Sequence, residues 1–182
     1  TLAGSPYTPT WSSSSKIGPY ALNFDGTDDY ISAGNLNYIN SGTAGEFTVS
    51  LWIYPRSTTG NQFIFGDEVS ANQGVMIQLN NGVINDYYPT AYQSSGYSPP
   101  LSTWTYITLR QNSSGVDLYV NGIFYSHIMN SLHLETSGTT YIGNWQGAGG
   151  RPFNGLIDDV RIYNYARTAE QLYNDYKTTH GT

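Results

Sequence analysis

The sequence contains no cysteine, so neither disulfides nor thiolate metal centres can hold it together. Charge is scarce as well. Asp, Glu, Lys and Arg make up 11% of the 182 residues, against about 25% in an average globular protein. Only seven residues are Lys or Arg, and the net charge is −6. Sequence-independent binding to nucleic acid relies on clustered cations, and this composition excludes it. No apolar run approaches the roughly 18 residues of a membrane span, so membrane insertion is not expected. The start "TLAGSPYTPTWSSSSK" lacks the apolar stretch of a signal peptide and reads as a cut from a longer secreted protein. Motifs for catalysis are also missing. There is no Gly-x-Ser-x-Gly and no Glu-x-Asp-x-x-Glu, and the four glutamates (Glu46, Glu68, Glu135, Glu170) stand apart. We expect a protein that is not an enzyme, with glycoside hydrolase or polysaccharide lyase as a remote alternative. His127, His133 and His180 match no compact zinc motif and are expected on the surface or in hairpins.

What is present is apolar, aromatic and rich in turns. Hydrophobic residues reach 38% and aromatics 15%, enough for a core, with 20 glycines and 8 prolines as punctuation. Short alternating segments follow one another: "ALNFDG", "DYISAG", "EFTVSLWIYP", "QFIFGD", "GVMIQLN", "VINDYY", "TWTYITLRQ", "VDLYVNGIFYSHI", "TTYIGN" and "FNGLIDDVRIYNY". Phe47, Val49, Leu51 and Ile53 share one face of the third, while Trp52 and Tyr54 take the other, which predicts a central strand covered on both sides. Asn81-Gly82 and Asn121-Gly122 mark tight hairpins. Ten or eleven short strands at this spacing predict an all-β fold, a sandwich or barrel. One short C-terminal helix follows. Thr168 and Gln171 form a capping box, and Ala169, Leu172, Tyr173 and Tyr176 form one stripe, expected to plug an edge or end of the sandwich. Residues 1–20 read as a linker or edge segment and 21–182 as the domain.

Six of these pieces, from "ALNFDGTDDYISAGN" through "FTVSLWIYP", "WTYITL", "VDLYVNG" and "YIGN" to "FNGLIDDVRIYNYARTAEQLYNDY", occur in an order that resembles laminin-G-like, concanavalin A-like jelly-roll domains. The resemblance implies two antiparallel sheets packed face to face, within a larger multidomain secreted or surface protein. The Ser-, Thr-, Asn-, Gly- and Tyr-rich, Lys-poor composition points to the outside of a microbial cell. Such modules bind glycans or another cell-surface ligand, or serve as spacers and protein contacts. It also implies a structural calcium ion between the start of the domain and its last long strand.

One residue of that last strand is out of keeping with its neighbours. By parity Asp158 points the same way as Leu156, Val160 and Ile162. A buried carboxylate needs a partner. Backbone amides, one of Arg151, Arg161 and Arg167, or a cation would each serve. The resemblance points to the cation, with Asp25 and Asp28 of "FDGTDDY", Asp158 and the Gly45 carbonyl as ligands, while Asp29 is expected to be solvated. Calcium takes six to eight such oxygens. Two segments are candidate glycan contacts. "NDYYPTAYQSSGYSPPLSTW", expected to be a loop, offers Tyr87, Tyr88, Tyr92 and Tyr97 for stacking; "GNWQGAGGRPFNG" offers Trp145, with Asn144 and Arg151 as hydrogen-bonding groups. Both aromatic sets have an alternative reading as cover for the sandwich. "NSSG" at 112–115 fits a glycosylation pattern and fits a turn equally well.

Overall fold

The computed structural model describes residues 7–36, 45–67, 74–87, 91–133, 138–145 and 150–180. The period-two alternation is realised as strands β1 (Thr10–Ser12), β2 (Ala21–Asp25), β3 (Ile31–Gly34), β4 (Phe47–Pro55), β5 (Asn61–Gly66), β6 (Met76–Asn80), β7 (Val83–Tyr87), β8 (Tyr92–Ser94), β9 (Thr105–Asn112), β10 (Gly115–Val120), β11 (Ile123–Met129), β12 (Thr140–Ile142) and β13 (Asn154–Tyr163), followed by helix α1 (Ala169–His180). They form two antiparallel sheets of seven and six strands, ordered β1-β2-β13-β4-β9-β10-β11 and β3-β12-β5-β6-β7-β8. The two strands beyond the expected eleven are β1, short and exposed, and β8, which pairs with β7 inside a segment that reads as loop. Both Asn-Gly pairs turn hairpins with positive φ at each residue (48° and 83° at Asn81 and Gly82, 50° and 75° at Asn121 and Gly122), as type I′ turns require.

Alternation puts one face of each sheet into a common core. Phe47, Val49, Leu51 and Ile53 of β4 and Ile107 and Leu109 of β9 meet Ile64, Ile77, Leu79 and Ile84 of the other sheet. One polar chain crosses this core. His133, fully buried, has Nε2 2.6 Å from Asp86 Oδ2, and its backbone exchanges two hydrogen bonds with the Gln111 side chain. This ties β7 of one sheet to β9 of the other, and it corrects the expectation of a surface histidine: the residue sits inside because Asp86 meets its ring and Gln111 satisfies its backbone there.

The outer face of the seven-stranded sheet carries Trp52 and Tyr106, both buried, because α1 lies over them. Trp52 Nε1 donates to Thr179 Oγ1 (3.1 Å), and Trp52 rests against Tyr176 with ring centroids 5.7 Å apart. Burial pushes the Tyr106 phenol up to about 12, against a hydrogen bond to Ser50 that works the other way. The helix therefore covers a sheet face rather than plugging an edge or end. Its buried residues are Leu172, Asp175 and Thr179, while Tyr173 is exposed, so the docking side is more polar than the apolar stripe suggests. The physical reason is the surface beneath it: Thr48, Ser50 and the indole N–H call for polar partners, and Asp175 pairs with Arg167 at 2.7 Å. The capping box forms as its spacing predicts, Thr168 and Gln171 each donating a backbone N–H to the other's side chain.

The parity argument at Asp158 is broken by a bulge. Asp158 pairs with Trp52 but Arg161 pairs with Ser50, so one extra residue sits between them, and Asp159 takes φ 48°. Leu156 and Asp158 face outward; Val160 and Ile162, past the bulge, pack against the core. Asp158 Oδ2 accepts the amides of Lys16 and Ile17, each at 2.8 Å, and Oδ1 accepts the amide of Asp159 at 2.8 Å. The carboxylate thus holds the N-terminal segment across the outer face, where Lys16 Nζ also lies 4.8 Å over the Trp52 ring. Hydrogen bonds to a charged acceptor contribute about 1.5–3 kcal/mol each. Asp158→Ala should cost about 2–4 kcal/mol in denaturant unfolding, equally with calcium or with chelator. A loss seen only with calcium would instead make Asp158 a metal ligand.

Candidate functional site

Three surface features concentrate the chemistry. The first is the turn from β2 to β3, which crosses from one sheet to the other. Asp25, Asp28 and Asp29 each direct a carboxylate oxygen to within 4.8 Å of the others. Asp29, only 6% exposed, accepts the Asp25 amide at 3.0 Å, and Asp25 accepts the Thr27 amide at 2.7 Å. Burial raises the Asp29 pKa above 3.8, and the charges of Asp25 and Asp28 add to the rise against the Asp25 amide bond. Oxygens sharing one hard cation at about 2.3–2.6 Å can be at most about 5 Å apart, so the donor set fits a divalent ion. The expected ligand set is corrected in three respects. Asp29 is buried within the group rather than solvated. Asp158 lies four residues along β13 from Asn154, the partner of Asp25, or roughly 13 Å away. The Gly45 carbonyl accepts from Gln111 at 2.7 Å, next to the start of β4, whereas Asp25 lies level with the end of that strand, roughly 30 Å away. An ion at this turn would pin the β2–β3 crossover, not the β2–β13 pair.

The second feature is the outer face of the six-stranded sheet. The Arg151 guanidinium stacks 4.3 Å over the Trp145 ring and reaches Met76 Sδ at 3.7 Å. Met76 is level with Tyr87 of β7, whose ring meets that of Tyr92 at 5.2 Å, edge to face. Tyr92, on β8, reaches across this face to take a hydrogen bond from Asn61 of β5 at 2.8 Å. The two candidate segments, almost sixty residues apart in sequence, lie on one sheet face with Met76 between them. Asn144 lies beneath it: it is fully buried and its Oδ1 accepts the Arg151 amide at 3.1 Å, which supports the arginine. Tyr97 packs against the core and against Tyr125 (4.9 Å), away from this group. Tyr88 lies outside the described residues.

The third feature was invisible in the linker-like N-terminal sequence. Trp11 and Tyr20, 64% and 57% exposed, flank a cleft of about 240 Å³ beside the β13 bulge, lined by Leu22, Ile142, Ile157 and Val160. The one signal for it in the sequence was a tryptophan in a stretch otherwise made of Ser, Thr and Pro.

Comparison with known proteins agrees with the architecture. A laminin-G family model, described as the concanavalin A-like lectin/glucanases superfamily, matches residues 25–172. Among solved structures, domain 4 of an extracellular arabinanase from Geobacillus stearothermophilus, in complex with arabinotriose, superimposes with a TM-score of 0.71 and 22% identity, over 92% of this chain and 80% of that one. The binding domain of botulinum neurotoxin serotype D gives a TM-score of 0.67 at 19% identity, over 95% of this chain and 47% of that one. A sialidase from Trypanosoma rangeli, solved with the inhibitor DANA, gives 0.64 at 14% identity, over 91% of this chain and 29% of that one. At these identities the likeness is one of fold, and this chain spans less than half of the neurotoxin domain and under a third of the sialidase.

The electrostatics of the aspartate turn carry a sign. The folded pKa of Asp29 lies above its unfolded value, so its contribution is most favourable below pH 3.8 and declines as pH rises through the raised folded pKa. A bound cation reverses this. In chelator at pH 7, Asp29→Asn should therefore raise the melting temperature; in millimolar calcium the wild type should gain stability and the variant should not. Equal melting temperatures for wild type with and without calcium, on metal-free protein, would exclude an ion at this turn.

Proposed function

Because this chain belongs to the concanavalin A-like lectin/glucanases superfamily, we propose that it is a non-catalytic recognition module of a larger extracellular or cell-surface protein and binds carbohydrate through the outer face of its six-stranded sheet. The observation that supports this reading is that the Trp145–Arg151 stack reaches Met76, on the face that also carries the Tyr87–Tyr92 pair. Aromatic faces stack on the C–H faces of sugars, while guanidinium and phenol groups supply hydrogen bonds to hydroxyls. The arabinotriose held by the arabinanase domain of the same fold supports a saccharide as the ligand class. Asp25, Asp28 and Asp29 hold a structural calcium ion in this reading, which stabilises the module by mass action at the millimolar calcium found outside cells.

A second reading, a spacer or protein-contact module without a glycan site, is favoured by the edge strand β11. There Ile123, Phe124 and Tyr125 are 63%, 52% and 47% exposed in succession. A glycan array followed by calorimetry separates the two. Under the first reading the protein binds at least one oligosaccharide, and Trp145→Ala or Tyr87→Ala weakens it about tenfold or more, roughly 1.4 kcal/mol. An array without any bound glycan would leave the second reading in place.

A further inference from the structure

Gln78 stands near the middle of the six-stranded sheet and faces away from the core, because its neighbours Ile77 and Leu79 both face into it. On the outer face it lies between Phe63 of β5 and Asn85 of β7. An outward-facing glutamine is ordinarily wet, yet this one is 0% exposed, and neither its Oε1 nor its Nε2 has a hydrogen-bond partner. Leaving a buried donor and acceptor unpaired destabilises the fold. A methionine of the same length would fill the position without that cost. A buried amide that the protein itself does not use points to an outside partner.

The surroundings define that partner's chemistry. Asn85 flanks Gln78 on one side, its Nδ2 occupied by the Val83 carbonyl at 2.7 Å, and Asn61 lies diagonally from Gln78, opposite Asn80. Tyr92 crosses above, anchored at its hydroxyl by the Asn61 amide. The other outward positions of β5 to β8 are Met76, Asn80, Val83, Tyr87 and Ser94, so these strands present amides, hydroxyls, aromatic rings and two aliphatic side chains to this face and no ionic side chain. A primary amide offers a donor and an acceptor side by side, which matches two adjacent hydroxyls of a sugar ring, one accepting and one donating. Around Gln78 these strands place no ionised group, so a neutral ring is desolvated there at lower cost than an ionised one; the Arg151 guanidinium beside Met76 is engaged by the Trp145 ring.

We propose that Gln78 is the specificity-determining residue of this face, binding a vicinal diol of a neutral sugar, and that Tyr92 is a hinged cover that must leave Asn61 to admit it. The proposal rests on the reading of this face as the glycan site and adds the ligand's charge class and the residue that reads it.

The test compares wild type, Gln78→Met and Trp145→Ala by calorimetry, using the oligosaccharide that gives the strongest array signal, together with thermal unfolding of each free protein. The array carries neutral, uronic-acid and sialylated glycans. The proposal expects a neutral glycan as the strongest ligand, at least a tenfold weaker Kd for Gln78→Met, and a melting temperature for that variant equal to or above wild type. Three results would overturn it. Gln78→Met could bind as wild type does while Trp145→Ala binds weakly, which removes Gln78 and keeps the glycan face. Gln78→Met could melt several degrees lower, which makes the amide structural. An acidic glycan could bind best, which removes the neutral class. Binding of no glycan at all would remove the face and the residue together.

Discussion

A two-sheet sandwich has one core and two outer faces, and among the described residues there is one helix with which to cover them. The helix goes to the seven-stranded sheet, held by the Trp52 indole on Thr179 and by Arg167 on Asp175. Asp158 adds the N-terminal segment to the same face through the amides of Lys16 and Ile17. Trp52 and Tyr106, which would otherwise be large exposed aromatics on β4 and β9, become part of a second packed layer. No described helix covers the six-stranded sheet. Its outer face instead carries amides and aromatic rings with Tyr92 lying across it, and the proposed glycan site rests on that difference between the two faces.

The two carboxylate features serve different ends. At the bulge of β13, Asp158 has backbone amides on both oxygens, and its role is to fix chain to chain. At the β2–β3 crossover, three carboxylates face one another with few donors to satisfy them, and mutual repulsion is part of their state. The first is neutralised by the protein's own dipoles. The second has the donor set for a cation, and at the passage between the sheets an ion would stabilise their connection without touching the outer face of the six-stranded sheet.

Much of the fold was legible in the sequence. Alternation located eleven of the strands, two Asn-Gly pairs marked hairpins, and the Thr168–Gln171 spacing marked the helix start. The parts that were not legible share a cause. Parity in β13 presumes an unbroken ladder, and the extra residue at Asp159 reverses it, so Asp158 was grouped with Val160 and Ile162 although they face opposite ways. The expected calcium ligands were drawn from three elements whose separation depends on strand register, which a linear pattern does not carry. Strand β8 was hidden because three residues among Pro, Ser and Gly are too few for a periodicity. Gln78 gave no signal at all: a polar residue at alternate positions of a strand is what a solvent-facing site looks like, and only packing shows that it is buried.

Recognition on the outer face of the six-stranded sheet is the central claim, and the four tryptophans of the chain are natural reporters for it. Trp11 stands at the N-terminal cleft, Trp52 under the helix, Trp104 against Tyr54, and Trp145 under Arg151. The most direct measurement is a two-dimensional nitrogen-15 spectrum of the protein during titration with a bound oligosaccharide. The account predicts that the Trp145 indole signal and the backbone amides of Met76 to Tyr87 shift together and saturate at one Kd, with Trp11 and Trp52 unmoved. Shifts confined to Trp11 and its neighbours would contradict it and place the ligand in the N-terminal cleft.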